Sequence, residues 1–356
     1  MAKIERRRTK RVGKSVRVSM YMVFIGLIVL VLVVYHIYGR IFVPNVLLDQ
    51  EQVIFYIPSR SEYEDVVNRL DEQGIIENRK SFEWVAKQKE YKKYVKPGRY
   101  KIPNKVSNNE LINMLRTGNQ DPVMVVFNHV RTLDQVAGKV SRYLEGDSVE
   151  FAAFFANDSL ALKYGFEPAI FTSMFIPNTY EFFWTTAPAE FVERMSKEYE
   201  KFWDGERDRQ AKKIKLTREE VITLASIVDE ETLYDDENEM IAGVYINRIK
   251  QGIPLQADPT LKFALADFTI KRILNEDKKI DSPYNTYKYK GLPPGPISLP
   301  SVSAIDGVLH YEKHHYIFFC AKADFSGHHV FARNLTQHNK NAREYQKALN
   351  RNRIYR

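Results

Sequence analysis

The chain has 356 residues, of which 44% are hydrophobic and 13% aromatic, enough to build a real core over two or three domains and too apolar for a disordered protein. Its formal charge is +8, yet residues 1–17 hold eight Lys or Arg against one acid, and the 45 basic and 44 acidic residues beyond them nearly cancel. That neutral body excludes a phosphate-backbone partner, so no nucleic acid is expected, and a single cysteine, Cys320, excludes an internal disulfide.

Val18 to Gly39 contains no Lys, Arg, Asp or Glu and is continuously apolar from Met22 to Val34. About 20 apolar residues suffice to cross a bilayer as a helix. Tyr21 lies near one end and Tyr35 and Tyr38 near the other, where interface-seeking aromatics belong. A cleaved signal peptide would show an apolar stretch of ~7–15 residues followed by small residues. Here the exit, Tyr35-His36-Ile37-Tyr38, is bulky, which predicts an uncleaved single-pass transmembrane helix over 18–40. The basic tail, 1–17, orients the N-terminus to the cytoplasm, and everything after about residue 40 lies outside. For a bacterial chain this is the inner (cytoplasmic) membrane, with the body periplasmic or on the outer face.

After the anchor, Val53 to Tyr56 reads as a first strand, and Tyr63, Val66, Val67 and Leu70 share a helix face closed by Gly74. A second helix is predicted over 81–93, a turn and short strand over 96–103, and a third helix after the capping-box spacing Ser107…Glu110, with Gly118 as its stop. The result is a compact α/β unit over about 45–120 with nothing catalytic in it. Further on, 122–130 is β-rich and 132–144 helical. The aromatic middle carries a loop-like knot, Phe175-Ile176-Pro177-Asn178-Thr179-Tyr180-Glu181-Phe182. One long charged helix is predicted over 190–213.

Thr217 with Glu220 forms a second capping box ahead of Leu224-Ala225-Ser226-Ile227-Val228-Asp229-Glu230-Glu231-Thr232. On a 3.6-residue wheel Val221, Leu224, Ala225, Val228 and Thr232 share a face, Glu231 lies at its edge, and Glu230 points away. The acids are either an ordinary solvated helix end or include one desolvated carboxyl, Glu231, that keeps a proton near neutral pH and can act as a general acid. A helix over 241–249 follows, ending at Gly252, and then two loops rich in polar residues: Leu255 to Thr260, and Ser282 to Tyr287 with Gly291 to Ile297. Prolines stiffen such loops, so their Gln, Asn, Thr and Tyr side chains either hold a sugar or satisfy the loops' own backbone. Tyr316 to Ala321 reads as a buried strand, and 339–356 as a solvated helix packing through Ala342, Tyr345 and Leu349. His310 and His314 have helical metal-ligand spacing but no acid or thiolate partners, so neither a metal nor a cofactor is expected.

Together these stretches resemble the MltG-type (YceG-like) family of membrane-anchored endolytic murein transglycosylases. The blocks that carry the resemblance are Pro177-Asn178-Thr179-Tyr180; Leu224 to Thr232; Val244 to Arg248 with Leu255 to Thr260; Tyr284-Asn285-Thr286-Tyr287 with Gly291 to Gly295; and His329-Val330-Phe331 with Asn334-Leu335 and His338-Asn339. The family helix motif reads Ala-Ser-Ile-(Ile/Val)-Glu-Lys-Glu-Thr, and its second Glu, the catalytic acid, falls on Glu231. This chain departs from it with Asp229 for Glu and Glu230 for Lys, and exchanging a cation for an acid there favours a protonated Glu231.

The resemblance implies an α+β chain with a single N-terminal transmembrane helix, a LysM-like module at 45–120 and a mixed α+β catalytic region at 121–350. It implies a lytic transglycosylase that cleaves the MurNAc–GlcNAc bond of peptidoglycan, leaves a 1,6-anhydro end and terminates nascent strands. Glu231 would be catalytic, while Gln256, Asp258, Asn285, Thr286, Tyr287 and His329 would bind substrate. Peptidoglycan strands, the membrane and peptidoglycan synthases are the expected partners. Two rivals remain open: a muramidase using water, with Asp258 or Asp229 as second carboxylate, and a non-catalytic anchored scaffold.

Overall fold

In a computed structural model of the chain, residues 2–352 are described apart from 129 and 271, and of 2–16 only the backbone, so the basic side chains before Arg17 lie outside the described part. The chain divides into two compact units, Met1–Val123 with Phe183–Thr185, and Met124–Phe182 with Thr186–Arg356.

The first unit opens with α1 (Ala2–Phe42), whose stretch Arg17–Phe42 is long and apolar enough to cross a membrane; its apolar middle is exposed, and only its end, at Ile41, packs against the core of the unit. Strands β1 (Gln52–Ile57) and β2 (Gly98–Pro103) pair antiparallel, Gln52 opposite Pro103 and Ile57 opposite Gly98. Between them lie α2 (Tyr63–Glu72) and α3 (Arg79–Gln88), and after them α4 (Asn108–Thr117). The alternating inward residues Phe55, Ile57, Tyr100 and Ile102 meet Val66, Leu70, Phe82 and Leu111 from the helices in one core. The predicted box at Ser107 forms in full, with the Ser107 amide and hydroxyl both on Glu110. The helix expected over 81–93 stops at Gln88 instead, because Glu90 turns into the left-handed region (φ 54°) and Tyr91–Lys93 is a separate short turn.

The second unit is mixed α+β. Its elements are β3 (Val123–Phe127), α5 (Leu133–Val140), α6 (Ser148–Phe155), α7 (Asp158–Lys163), β4 (Asn178–Phe182), α8 (Pro188–Phe202), α9 (Gly205–Ile214) and α10 (Arg218–Glu231). They are followed by α11 (Asn238–Lys250), α12 (Asp258–Ala264), α13 (Val302–Leu309), β5 (Phe318–Ala321), β6 (His329–Ala332) and α14 (Leu335–Arg351). β3 pairs with β4, and β5 with β6. Three expectations change. The knot at 175–182 is a strand from Asn178 onward, so its apolar residues serve a β face. The single charged helix is two, because Asp204 accepts from the amides of Glu206 and Arg207 and starts a new helix. Asp258 is no longer in the loop but is the first residue of α12, with Pro259 next to it in the first turn.

The aromatic middle is core: Phe182 and Phe175 lie 5.0 Å and 6.3 Å from Phe191, with Phe127, Phe151 and Phe155 around the same ring. α10 is enclosed by α11, α12 and α13, and every residue from Val221 to Val228 is buried. The wheel predicted one buried face; the helix has no solvent face along these two turns, as its near-continuous apolar sequence demands.

Candidate active site

The N-terminus of α10 is held by reciprocal bonds: the Thr217 amide donates to Glu220 Oε2 (2.8 Å), and the Glu220 amide donates to Thr217 Oγ1 (3.2 Å). Within the helix the buried Ser226 hydroxyl donates to the Thr223 carbonyl (2.8 Å) and accepts from the Ile297 amide (3.0 Å), which ties the proline-rich loop to the helix. Gly295 lets that loop approach closely, since a Cβ there would stand 2.4 Å from the Ala169 carbonyl oxygen. The far end of the helix is therefore fixed relative to the loops around it.

Three successive acids leave that end in three directions, about 100° apart. Asp229 accepts from the Ser301 hydroxyl (2.5 Å), and Glu230 pairs with Arg131 (2.8 Å). Glu231 accepts from the Tyr245 hydroxyl at 2.7 Å and stands at the wall of a cavity of about 380 Å³. That volume lies within the usual range of a small-ligand site, roughly 300–1,000 Å³.

Burial raises the Glu231 pKa to about 7. The Tyr245 bond works against this shift, while Asp258 across the cavity adds to it, Lys262 opposes it, and Glu230 contributes least. Replacing the family lysine by Glu230 thus acts in the expected direction, but desolvation dominates. Glu231 is half-buried as a residue because one side borders the cavity.

α11 lines the cavity with Val244, Tyr245 and Arg248, one helical face at i, i+1 and i+4. Gly243 on the same helix admits the 312–314 segment, since a Cβ would fall 2.5 Å from the Glu312 carbonyl oxygen. Arg248 is a buried bracket: its guanidinium donates to the carbonyls of Ile317 (2.7 Å), Pro254 (3.1 Å) and Leu255 (2.5 Å). Burial pushes its pKa below the ordinary arginine value. Gln256 reaches the cavity from a left-handed backbone (φ 54°), a conformation costing about 1–3 kcal/mol in a non-glycine residue, and is held by its amide on the Thr286 carbonyl (3.0 Å). Asp258 accepts from the Tyr287 hydroxyl (2.5 Å), and both face the cavity.

Of the residues expected to bind sugar, Gln256, Asp258 and Tyr287 line the cavity with Glu231; Asn285, Thr286 and His329 do not. Asn285 is fully buried, donating to the carbonyls of Lys278 (2.9 Å) and Ile280 (2.8 Å) and accepting from the amides of Tyr287 (3.0 Å) and Lys288 (3.2 Å). Thr286 accepts from the Ala257 amide (3.0 Å) and meets the Thr260 hydroxyl (2.8 Å). Of the two readings left open for these loops, internal satisfaction describes Asn285 and Thr286, and an open site describes the residues beside them. His329 turns its Nδ1 to Glu237 (2.8 Å).

Three contributions were missed. Tyr245 reads in the sequence as one apolar helix position among several. Phe318 and Phe319 of β5 form an aromatic wall, half-buried where a buried strand was expected. The first turns of α14, of which only 339 onward was read as a packing helix, bring Leu335, His338 and Asn339 to the cavity. The His338 ring stacks on Phe318 (5.2 Å), and its buried Nδ1 has no hydrogen-bond partner among the described residues. The matching blocks His329…Asn339 were the signal available for this wall. The helical spacing of His310 and His314 leads nowhere: His314 Nε2 is satisfied by the Met240 carbonyl (2.9 Å), and His310 Nδ1 lies against that of Asp306 (2.9 Å).

A sequence model of the YceG-like family matches residues 55–344. A protein of Bacillus subtilis (strain 168) named endolytic murein transglycosylase is 27% identical over 87% of this chain and 89% of its own length. One of the same name from Streptococcus pneumoniae serotype 2 (strain D39) is 28% identical over 81% of this chain, which spans 57% of that longer protein. A crystal structure of a yceG-like protein from Listeria monocytogenes superposes with a TM-score of 0.54 at 26% identity, covering 82% of this chain and 99% of that one.

Proposed function

This chain belongs to the YceG-like family, and we propose that it is a membrane-anchored lytic transglycosylase that cuts peptidoglycan strands internally. The observation that carries the reading is Glu231, a carboxyl whose pKa burial raises to about 7, bonded to Tyr245 at the wall of a polar cavity. A carboxyl half-protonated at neutral pH is suited to give a proton and take one back in the same turnover.

On this reading Glu231 protonates the oxygen bridging N-acetylmuramic acid and N-acetylglucosamine, and the C–O bond to the muramic anomeric carbon breaks. The Tyr245 hydroxyl holds the resulting carboxylate in place. Glu231 then removes the proton from the sugar's own 6-hydroxyl as that oxygen bonds to the anomeric carbon. The products are a 1,6-anhydro end and a free 4-hydroxyl, with the proton returned to Glu231 and no water consumed. Gln256, Asp258, Tyr287 and His338 orient the sugar, with Phe318 and Phe319 against its apolar face. Cleavage of this bond in strands leaving their synthases would terminate them, and the synthases would be its partners at the membrane.

The β-α-α-β order of the first unit, with β1 antiparallel to β2, supports a LysM-like glycan-binding role for 45–120, with 121–350 as the catalytic region. The basic residues of 1–17 support a cytoplasmic N-terminus and an extracytoplasmic body. One observation favours a second reading: Asp258 shares the cavity with Glu231, as the second carboxylate of a water-using muramidase would. Mass spectrometry of digested strands decides between them. Anhydro ends that vanish in Glu231→Gln are expected; reducing ends carrying an added water would overturn the transglycosylase reading.

A further inference from the structure

Glu231 is the last residue of α10, and the chain leaves the helix at Thr232 in an extended conformation (φ −134°, ψ 151°) with no glycine cap. Helix ends fray, and their last carbonyls lack intrahelical partners. A general acid in that place needs its backbone held by something other than the helix. Thr232 supplies the hold: its hydroxyl accepts from the Tyr234 amide (3.1 Å) and donates to Glu237 Oε2 (3.1 Å).

Glu237 is itself anchored. It is buried at the head of α11, accepting from the His329 amide at Oε1 (2.7 Å) and meeting His329 Nδ1 at Oε2 (2.8 Å). A carboxylate only accepts, so the ring donates from Nδ1. Burial alone would raise the Glu237 pKa, but the bonds from His329 and Thr232 outweigh it and hold the group below the ordinary glutamate value, as an anion. His329 in turn begins β6, opposite Ala321 of β5, and its ring packs edge-on to Phe319 of the cavity wall (5.2 Å). One carboxylate thereby joins the end of α10, the start of the helix that bears Tyr245, and the hairpin that bears Phe319.

We propose that Glu237, fixed by His329, is the positioning residue for the catalytic acid, clamping Thr232 so that Glu231 meets Tyr245 and the cavity in one orientation. This rests on the lytic transglycosylase reading of Glu231. It moves His329 from the sugar to the support of the acid. A neighbouring contact of the same kind, His328 with Asp236 (3.5 Å), lies at the surface and touches neither Thr232 nor Glu231, so it serves as a control.

The test uses the full chain in detergent micelles on isolated glycan strands, with kcat and KM for anhydro-end formation and the Glu231 carboxyl titrated by 13C NMR. Because Glu237→Ala leaves the half-buried His329 without its partner and can fail to fold, the decisive variant is Thr232→Val. A misplacement of a fraction of an ångström predicts a kcat lower by about tenfold, with KM within about twofold. Water reaching the loosened helix end also lowers the Glu231 midpoint from about 7. Thr232→Ser recovers both, Glu237→Gln lowers kcat without adding to the loss in Thr232→Val, and Asp236→Asn matches wild type. An unchanged kcat and midpoint in Thr232→Val, a rise in KM alone, or equal impairment in Thr232→Ser overturns the clamp. A wild-type chain that forms no anhydro ends overturns the transglycosylase reading instead, while the Glu231 titration still judges the clamp.

Discussion

Tyr245→Phe removes one oxygen, the donor at 2.7 Å from Glu231 Oε1, and leaves the ring in place at its edge contact with Phe319 (5.9 Å). A hydrogen bond to a charged group contributes about 1.5–3 kcal/mol, part of which persists when the acid is protonated. If roughly half of it is specific to the carboxylate, the loss is about 1 kcal/mol, or a little under one pH unit in the midpoint. The Tyr245 bond holds the Glu231 pKa down against desolvation, so removing it moves the midpoint upward from about 7. The general acid must start protonated, so activity is present below this midpoint and falls as pH rises through it. The variant's alkaline limb therefore shifts to higher pH by a little under one unit, while its maximal kcat drops about tenfold as the returning carboxylate loses its support. The assay is kcat/KM for anhydro-end release between pH 5 and 9. An alkaline limb that stays in place, or moves to lower pH, refutes the assignment of Tyr245 and Glu231 as a coupled pair.

Glu231→Gln abolishes anhydro-end formation yet raises thermal stability at high pH. The folded pKa of Glu231 lies above its ordinary value of 4.5, so its contribution to stability is intact below 4.5 and lost as pH rises through about 7. A Tm gain at pH 8 that shrinks toward pH 5 is the expected outcome in calorimetry; a gain independent of pH refutes it. Asn285→Ala, which strips four backbone groups of their partner, destabilises the chain by about 2–4 kcal/mol in denaturant titrations. Its kcat per folded molecule changes less than that of Tyr245→Phe, and a KM effect without loss of stability would restore Asn285 to the sugar.

Local chemistry made much of this protein legible in its sequence. The uncharged run from Val18 to Gly39 specifies a membrane-spanning length by itself, and Ser107…Glu110 and Thr217…Glu220 mark helix starts because a capping box is completed within four residues. Because a helix projects successive residues 100° apart, three adjacent acids cannot share one environment; the wheel set Glu231 at the edge of the buried face, and the family resemblance chose it over its two neighbours. Tertiary structure decided which environment each received. Asp229 met Ser301, Glu230 met Arg131 and Glu231 met Tyr245, partners 72, 99 and 14 residues away. The same distance rule separates the loop side chains: Asn285 and Tyr287 are two residues apart, yet one closes its own loop and the other faces the cavity. Composition carries the need for hydrogen bonds, but only the packed backbone determines which polar groups are already satisfied and which, like His338 Nδ1, have no partner among the described residues.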